Sequence, residues 1–125
     1  MDEAVNCIIS SFYEVYNILG YGFSESVYAG AMQHELSLRG HTVLREVSVR
    51  VTYKGENIAW QRFDMLVDGC VIVENKALPN LPSGATRQLR SYLRGTRLEV
   101  GLVLNFGLEP KFTRVYSAVQ PTSGK

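Results

Sequence analysis

Within Trp60 to Lys76 (WQRFDMLVDGCVIVENK), Asp64, Glu74 and Lys76 put ionisable side chains where a plain core would carry none. The stretch reads as two buried strands joined by a tight turn at Asp68-Gly69-Cys70. Side chains alternate along a strand, so Glu74 and Lys76 project to one side and Val71, Val73, Asn75 and Ala77 to the other. A three-residue connection opposes residue 67 to 71 and hence 64 to 74, which sets Asp64 beside Glu74. A two-residue turn at Asp68-Gly69 would oppose 64 to 73 and move the aspartate to the valine face.

Two carboxylates about 4 Å apart repel by roughly 4 kcal/mol at an effective dielectric near 20, and an ammonium nearby offsets only part of that. Such a pair either protonates one member or takes up a divalent cation, for which clustered hard oxygens are suited. The cation is the reading adopted. Its competitor places these residues at strand ends in water, with Glu74 and Lys76 as a surface pair worth about 0 to 1 kcal/mol.

The elements that must position the trio follow from periodicity. Residues 2 to 19 place Ala4, Val5, Ile8, Ile9, Phe12, Val15, Tyr16 and Leu19 at helical spacing, with Asp2 and Glu3 at the favourable end and a stop at Gly20. After the loop Gly20-Tyr21-Gly22-Phe23, a second helix is expected, with Ser24 as its cap and Arg39-Gly40 as its stop. Glu25 then lies in the first turn, and Tyr28, three residues on, shares roughly its face while Val27, Ala31, Met32 and Leu36 pack. For Glu25 alone, favourable interaction with the helix dipole is a sufficient explanation.

VLREVSVRVTY, from 43 to 53, alternates Val47, Val49, Val51 and Tyr53 with Glu46, Ser48, Arg50 and Thr52, a strand with one apolar face. The turn KGEN leads into the two strands above, giving an antiparallel meander. Prolines break Leu78 to Leu81, and Ser83 can cap a third helix over about 84 to 95. On it Gln88 and Tyr92 share a face, Leu89 and Leu93 the next, and Arg87, Arg90 and Arg94 the remainder, which by default is a solvated surface. VGLVLNF, 100 to 106, suits a fully buried strand, residues 112 to 118 a last one, and 120 to 125 a loose tail after a single domain over 1 to 119. The order is ααβββαββ.

With 125 residues, 46% hydrophobic and 20% charged, the chain has enough apolar material for one core. A net charge of +1 means that contact with a polyanion must come from local clusters such as Arg87, Arg90, Arg94 and Arg97. Two cysteines, Cys7 and Cys70, fit reduced thiols in a cytoplasmic protein, and no apolar run suits export or membrane spanning.

The chain resembles the GxxExxY proteins of the PD-(D/E)XK nuclease superfamily over about residues 15 to 116. Gly22, Glu25 and Tyr28 fit the name-giving motif. Arg62-Phe63-Asp64 followed by Val73-Glu74-Asn75-Lys76-Ala77 fits the D…ExK signature, and Gln88 with Tyr92 fits the QxxxY motif of exonuclease-type relatives. The resemblance implies a restriction-endonuclease-like α/β (α+β mixed) core, a mixed central sheet flanked by helices. It implies Mg²⁺ or Mn²⁺ held by Asp64, Glu74, Glu25 and the Asn75 backbone carbonyl, with Lys76 orienting or activating the attacking water. Gln88 and Tyr92 would position water or backbone, and Arg62, Arg87, Arg90 and Arg94 would contact nucleic acid. One residue departs from the pattern: between acid and lysine an apolar side chain is usual, and here it is Asn75, whose buried amide needs partners or costs about 1 to 3 kcal/mol. The function expected is a metal-dependent nuclease on DNA, acting as a homodimer or as a subunit of a larger complex. The alternative is a catalytically inactive nucleic-acid-binding or protein-interaction module on the same fold.

Overall fold

Ala4, Val5, Ile8, Phe12 and Val15 recur on one side of the first helix, α1 (Asp2–Leu19), and this stripe fixes it against the sheet. The computed structural model describes residues 2 to 117. The second helix, α2 (Glu25–Leu38), buries Tyr28, Ala29, Met32 and Leu36 in the same layer. Five strands follow: β1 (Val43–Tyr53), β2 (Glu56–Val67), β3 (Val71–Lys76), then, after α3 (Gly84–Thr96), β4 (Val100–Phe106) and β5 (Pro110–Tyr116). They form one mixed sheet in the order β1-β2-β3-β4-β5, with β3 and β4 parallel and every other pair antiparallel. Helix α3 makes the crossover between the parallel strands. It covers one face of the sheet through Ala85, Leu89, Tyr92 and Leu93, while α1 and α2 cover the other. The order ααβββαββ is the one the periodicity indicates, element for element, and the mixed sheet flanked by helices is the one the resemblance implies. The tail expected over 120 to 125 lies outside the described residues, and among these no helix is long and apolar enough to cross a membrane.

Several local expectations need correcting. Glu56 and Asn57 belong to β2 rather than to a turn, because Lys54 and Gly55 alone, both at positive φ, close the first hairpin. The stretch read as buried from Trp60 is exposed over its first three residues, 60 to 62, with Trp60 63% exposed. The cause is length: β3 has six residues and pairs with β2 only from Met65 to Val67, so β1 and β2 run past it as a two-stranded ribbon. A register shift between Val51 and Thr52 takes Tyr53 out of the apolar series, and Val27 is exposed. Ser24 and Ser83 occupy the residues before α2 and α3, yet neither hydroxyl caps a backbone amide. Ser24 Oγ instead lies 3.0 Å from Ser26 Oγ.

Candidate active site

Val67 faces Val71 across the connection 68 to 70, so the turn between β2 and β3 has three residues, with Asp68 and Gly69 both at positive φ. Asp64 and Glu74 are therefore level, one step beyond the last paired residues, Met65 and Val73. Strict alternation does not continue through this point. Met65 and Val67 pack toward α1 and α2, whereas Phe63 packs toward α3. On β1 the same exchange separates Val43 from Val47, across Glu46 at φ 54°. Both strands of the ribbon thus change faces where they leave the sheet, and Asp64 stands at that crossover.

The Asp64 N–H donates to Glu74 Oε2 at 2.8 Å. The Asp64 carboxylate accepts from the Asn75 N–H at 3.3 Å and from Asn75 Nδ2 at 2.6 Å. Asn75, 3% exposed, is thus the partner that orients Asp64, which accounts for an amide where an apolar residue is usual. Its Oδ1 is buried without a hydrogen bond. Lys76 Nζ lies 3.9 Å from Glu74 Oε1. Glu25, Asp64, Glu74 and Asn75 line one cavity of about 190 Å³, together with Ser26, Ala29 and Arg45. Glu74 is 8% exposed. Burial pushes its carboxyl above the ordinary value, and Asp64 and Glu25 push the same way, against the Asp64 N–H and Lys76.

Glu25 and Tyr28 do not point to one place. The Tyr28 ring is buried and stacks on Phe106 with centroids 4.3 Å apart. Its hydroxyl donates to the Gly20 carbonyl and accepts from the Phe23 N–H. The loop so closed contains Gly22 at φ 123°, a conformation natural to glycine alone. Glycine and tyrosine therefore set the start of α2, and Glu25 projects from its first turn into the cavity.

Tyr92 is buried against Phe63, with ring centroids 5.7 Å apart, and burial followed by the charge of Glu74 holds its hydroxyl pKa above the ordinary value. Gln88 is exposed, and its side chain makes no hydrogen bond among the described residues. Arg87, Arg90 and Arg94 are exposed on α3, and Arg62 pairs with Glu46 at 3.2 Å. Among the described residues, no three side chains of His, Cys, Asp and Glu are grouped as a ready-made metal site.

Two residues escaped the sequence reading. Arg45 Nε lies 3.3 Å from Asp64 Oδ1, close enough for an ion pair although not aligned as a hydrogen bond. The signal was available: by alternation Arg45 falls on the apolar side of its strand. Asn105, buried and level with Lys76 on the neighbouring strand, accepts from the Leu78 N–H and donates to the Leu78 carbonyl, both at 3.0 Å. An amide inside VGLVLNF marked it.

Residues 2–115 match a family model described as PD-(D/E)XK nuclease superfamily. The match spans nearly the whole chain, and the protein belongs to that superfamily. Among solved structures, that of SSO0001 is similar, with a TM-score of 0.59 and 14% identity over 77% of this chain. The similarity covers 52% of SSO0001, so this chain spans about half its length, and at that identity the likeness concerns the fold. No curated protein matches the chain.

Proposed function

We propose that the protein is a metal-dependent nuclease that hydrolyses phosphodiester bonds in DNA, of the GxxExxY type. The observation that carries this reading is the cavity where β2 leaves β3, into which three separate elements bring Glu25, Asp64 and Glu74, with Lys76 beside Glu74. The residues suit Mg²⁺ or Mn²⁺. Asp64, Glu74 and the Asn75 backbone carbonyl offer hard oxygens, and water ordinarily completes the shell of a small divalent cation. A buried Glu74 with two acids nearby also calls for positive charge. When bound, such an ion polarises a phosphoryl oxygen and lowers the pKa of attacking water.

The chain's own groups supply the rest. Asn75 holds the Asp64 carboxylate in one orientation, and the Asp64 N–H does the same for Glu74. The Lys76 ammonium, tethered near Glu74, can orient water or stabilise charge developing on the phosphate. Tyr92, packed on Phe63, lies near enough to Glu74 to feel its charge. Incubation with labelled DNA and Mg²⁺ or Mn²⁺ tests the reading. EDTA-sensitive cleavage that Glu74→Ala abolishes is expected, and absent cleavage, or cleavage indifferent to that substitution, refutes it.

The Arg45–Asp64 ion pair favours a second reading, a binding module whose own arginine stands in for the cation. It requires that Mn²⁺ leave the melting temperature unchanged.

A further inference from the structure

Trp60 is the only tryptophan of the chain, and it stands in the open on the projecting half of the β1–β2 ribbon. A side chain of that size ordinarily packs on a core or meets a partner, and β3 ends too early to bring it a core. Its neighbours follow from the register. Phe63 packs toward α3, so by alternation Asp64, Arg62 and Trp60 lie on the opposite face, the one where α2 brings Glu25 to the cavity. Across the ribbon Ser48 stands opposite Arg62 and Arg50 opposite Trp60, and directly opposed residues share a face. Val49, which packs with α3, fixes the other side of β1. A strip of Arg62 and Trp60, with Ser48 and Arg50 beside them, therefore continues the face of Asp64 along the ribbon, and all four residues are exposed. With a rise of about 3.3 Å per residue, Trp60 lies about 13 Å along the strand from Asp64. That is about four steps of a stacked nucleic-acid strand at roughly 3.4 Å each.

Charge and continuity select the occupant. Arg50 has no ion-pair partner among the described residues. Arg62 has Glu46, at 3.2 Å, with both side chains largely in water, a weak surface pair that a phosphate can replace. Two guanidinium groups around an open indole match a nucleic-acid strand, in which phosphates flank a base with a flat apolar face. Resting on the nuclease reading, we propose that this strip holds the substrate as a single strand to one side of the scissile bond. One unpaired base stacks on the Trp60 indole, and phosphates meet Arg50 and Arg62. Stacking requires a base whose face is free, so the substrate class is DNA with a single-stranded segment rather than an intact duplex. Every base has such a face, so sequence preference is slight.

Because Trp60 is the sole tryptophan, its fluorescence reports stacking at this one position. In EDTA, a short unlabelled oligothymidylate should quench the wild-type emission as it binds, and neither inorganic phosphate nor a blunt duplex at equal phosphate concentration should do so. By anisotropy of a fluorescein-labelled oligothymidylate, Trp60→Ala should bind roughly 5- to 100-fold more weakly, and Trp60→Phe should recover most of the loss. Arg50→Ala and Arg62→Ala should each lower the slope of log K against log salt by about 0.7. Tyr116→Ala, which removes an exposed aromatic from β5, should bind as the wild type does. Trp60 is exposed, so its variants should melt with the wild type, and Trp60→Phe repeats the test should Trp60→Ala not. The proposal is overturned if the oligonucleotide leaves the emission unchanged, if Trp60→Ala binds as tightly as the wild type, or if the duplex quenches as strongly. Emission that shifts with protein concentration in the absence of DNA, together with a dimer in sedimentation, also overturns it, as the mark of a second copy on this face. Failure of the nuclease reading looks different: binding and quenching behave as stated, yet no cleavage follows when Mg²⁺ is restored. Cleavage by the wild type that neither quenches Trp60 nor depends on it removes the strip alone.

Discussion

Replacing Glu74 by Gln should make the metal-free protein more stable at neutral and alkaline pH while removing its proposed activity. Gln keeps an oxygen to accept from the Asp64 N–H, so the 2.8 Å hydrogen bond survives. What it loses is attraction to Lys76. At 3.9 Å that attraction reaches about 4 kcal/mol at an effective dielectric of 20, but the lysine side chain is 23% exposed, and screening reduces the useful part to within about 1 kcal/mol. What it escapes is the burial of a charge and the repulsion from Asp64 and Glu25, and the raised carboxyl pKa shows that these outweigh the attraction. The net gain should be on the order of 1 kcal/mol, typical of a functional charge held at the expense of stability. For a domain of this size that is about 3 to 5 °C in Tm. The sign with pH follows from linkage. The ionised Glu74 destabilises the fold above its raised folded-state pKa, and the penalty fades as pH falls through that value toward the unfolded-state one. Thermal melts in EDTA should therefore show Glu74→Gln ahead of the wild type at pH 8, with the gap closing on acidification. A variant less stable than the wild type at pH 8, or a gap that ignores pH, would refute the reasoning.

Four further outcomes can be checked. Mn²⁺ should raise the melting temperature of the wild type in proportion to the logarithm of its concentration, but not that of Glu74→Gln, as read by calorimetry. Asn75→Val removes the 2.6 Å bond that orients Asp64 and should weaken Mn²⁺ binding by roughly tenfold, the usual scale for a residue that positions a ligand; titration calorimetry decides. Asp68 holds its pKa below the ordinary value, first through the hydrogen bond to His41 and then through the Thr42 N–H. Asp68→Asn should therefore cost about 1 kcal/mol in urea unfolding near neutral pH, and the difference from wild type should vanish as pH drops below the depressed carboxyl pKa. Asn105→Ala frees both Leu78 backbone groups and should destabilise by about 2 kcal/mol in the same assay.

The order of elements was legible because each long helix carries an apolar stripe and β4 an apolar run interrupted only by Asn105. The level placement of Asp64 and Glu74 was legible only conditionally, since one residue more or less in the 68–70 turn reverses it and both lengths fit Asp-Gly-Cys. What could not be read was the exchange of faces at Glu46 and Asp64. It depends on a non-glycine residue at positive φ and on β3 ending early, and neither leaves a periodic trace. Arg45 was legible in part: alternation puts it on the apolar side of its strand, and only its place beside Asp64 depends on that exchange. Trp60 was misread for a related reason: the apolar run that follows it suggests a strand buried from its first residue, but β3 ends too early to cover that end. The Ser24 and Ser83 caps failed because a serine in the right position offers only the opportunity for a hydrogen bond.

The Asn105 amide grips the backbone of Leu78 from both sides, two residues after Lys76 and ahead of the Pro79–Pro82 segment. Lys76 is therefore anchored upstream of the connection to α3. The connection that follows is held separately, by Leu81 packed into the layer under α3, so the lysine and the helix are each fixed to the sheet at their own end of the crossover.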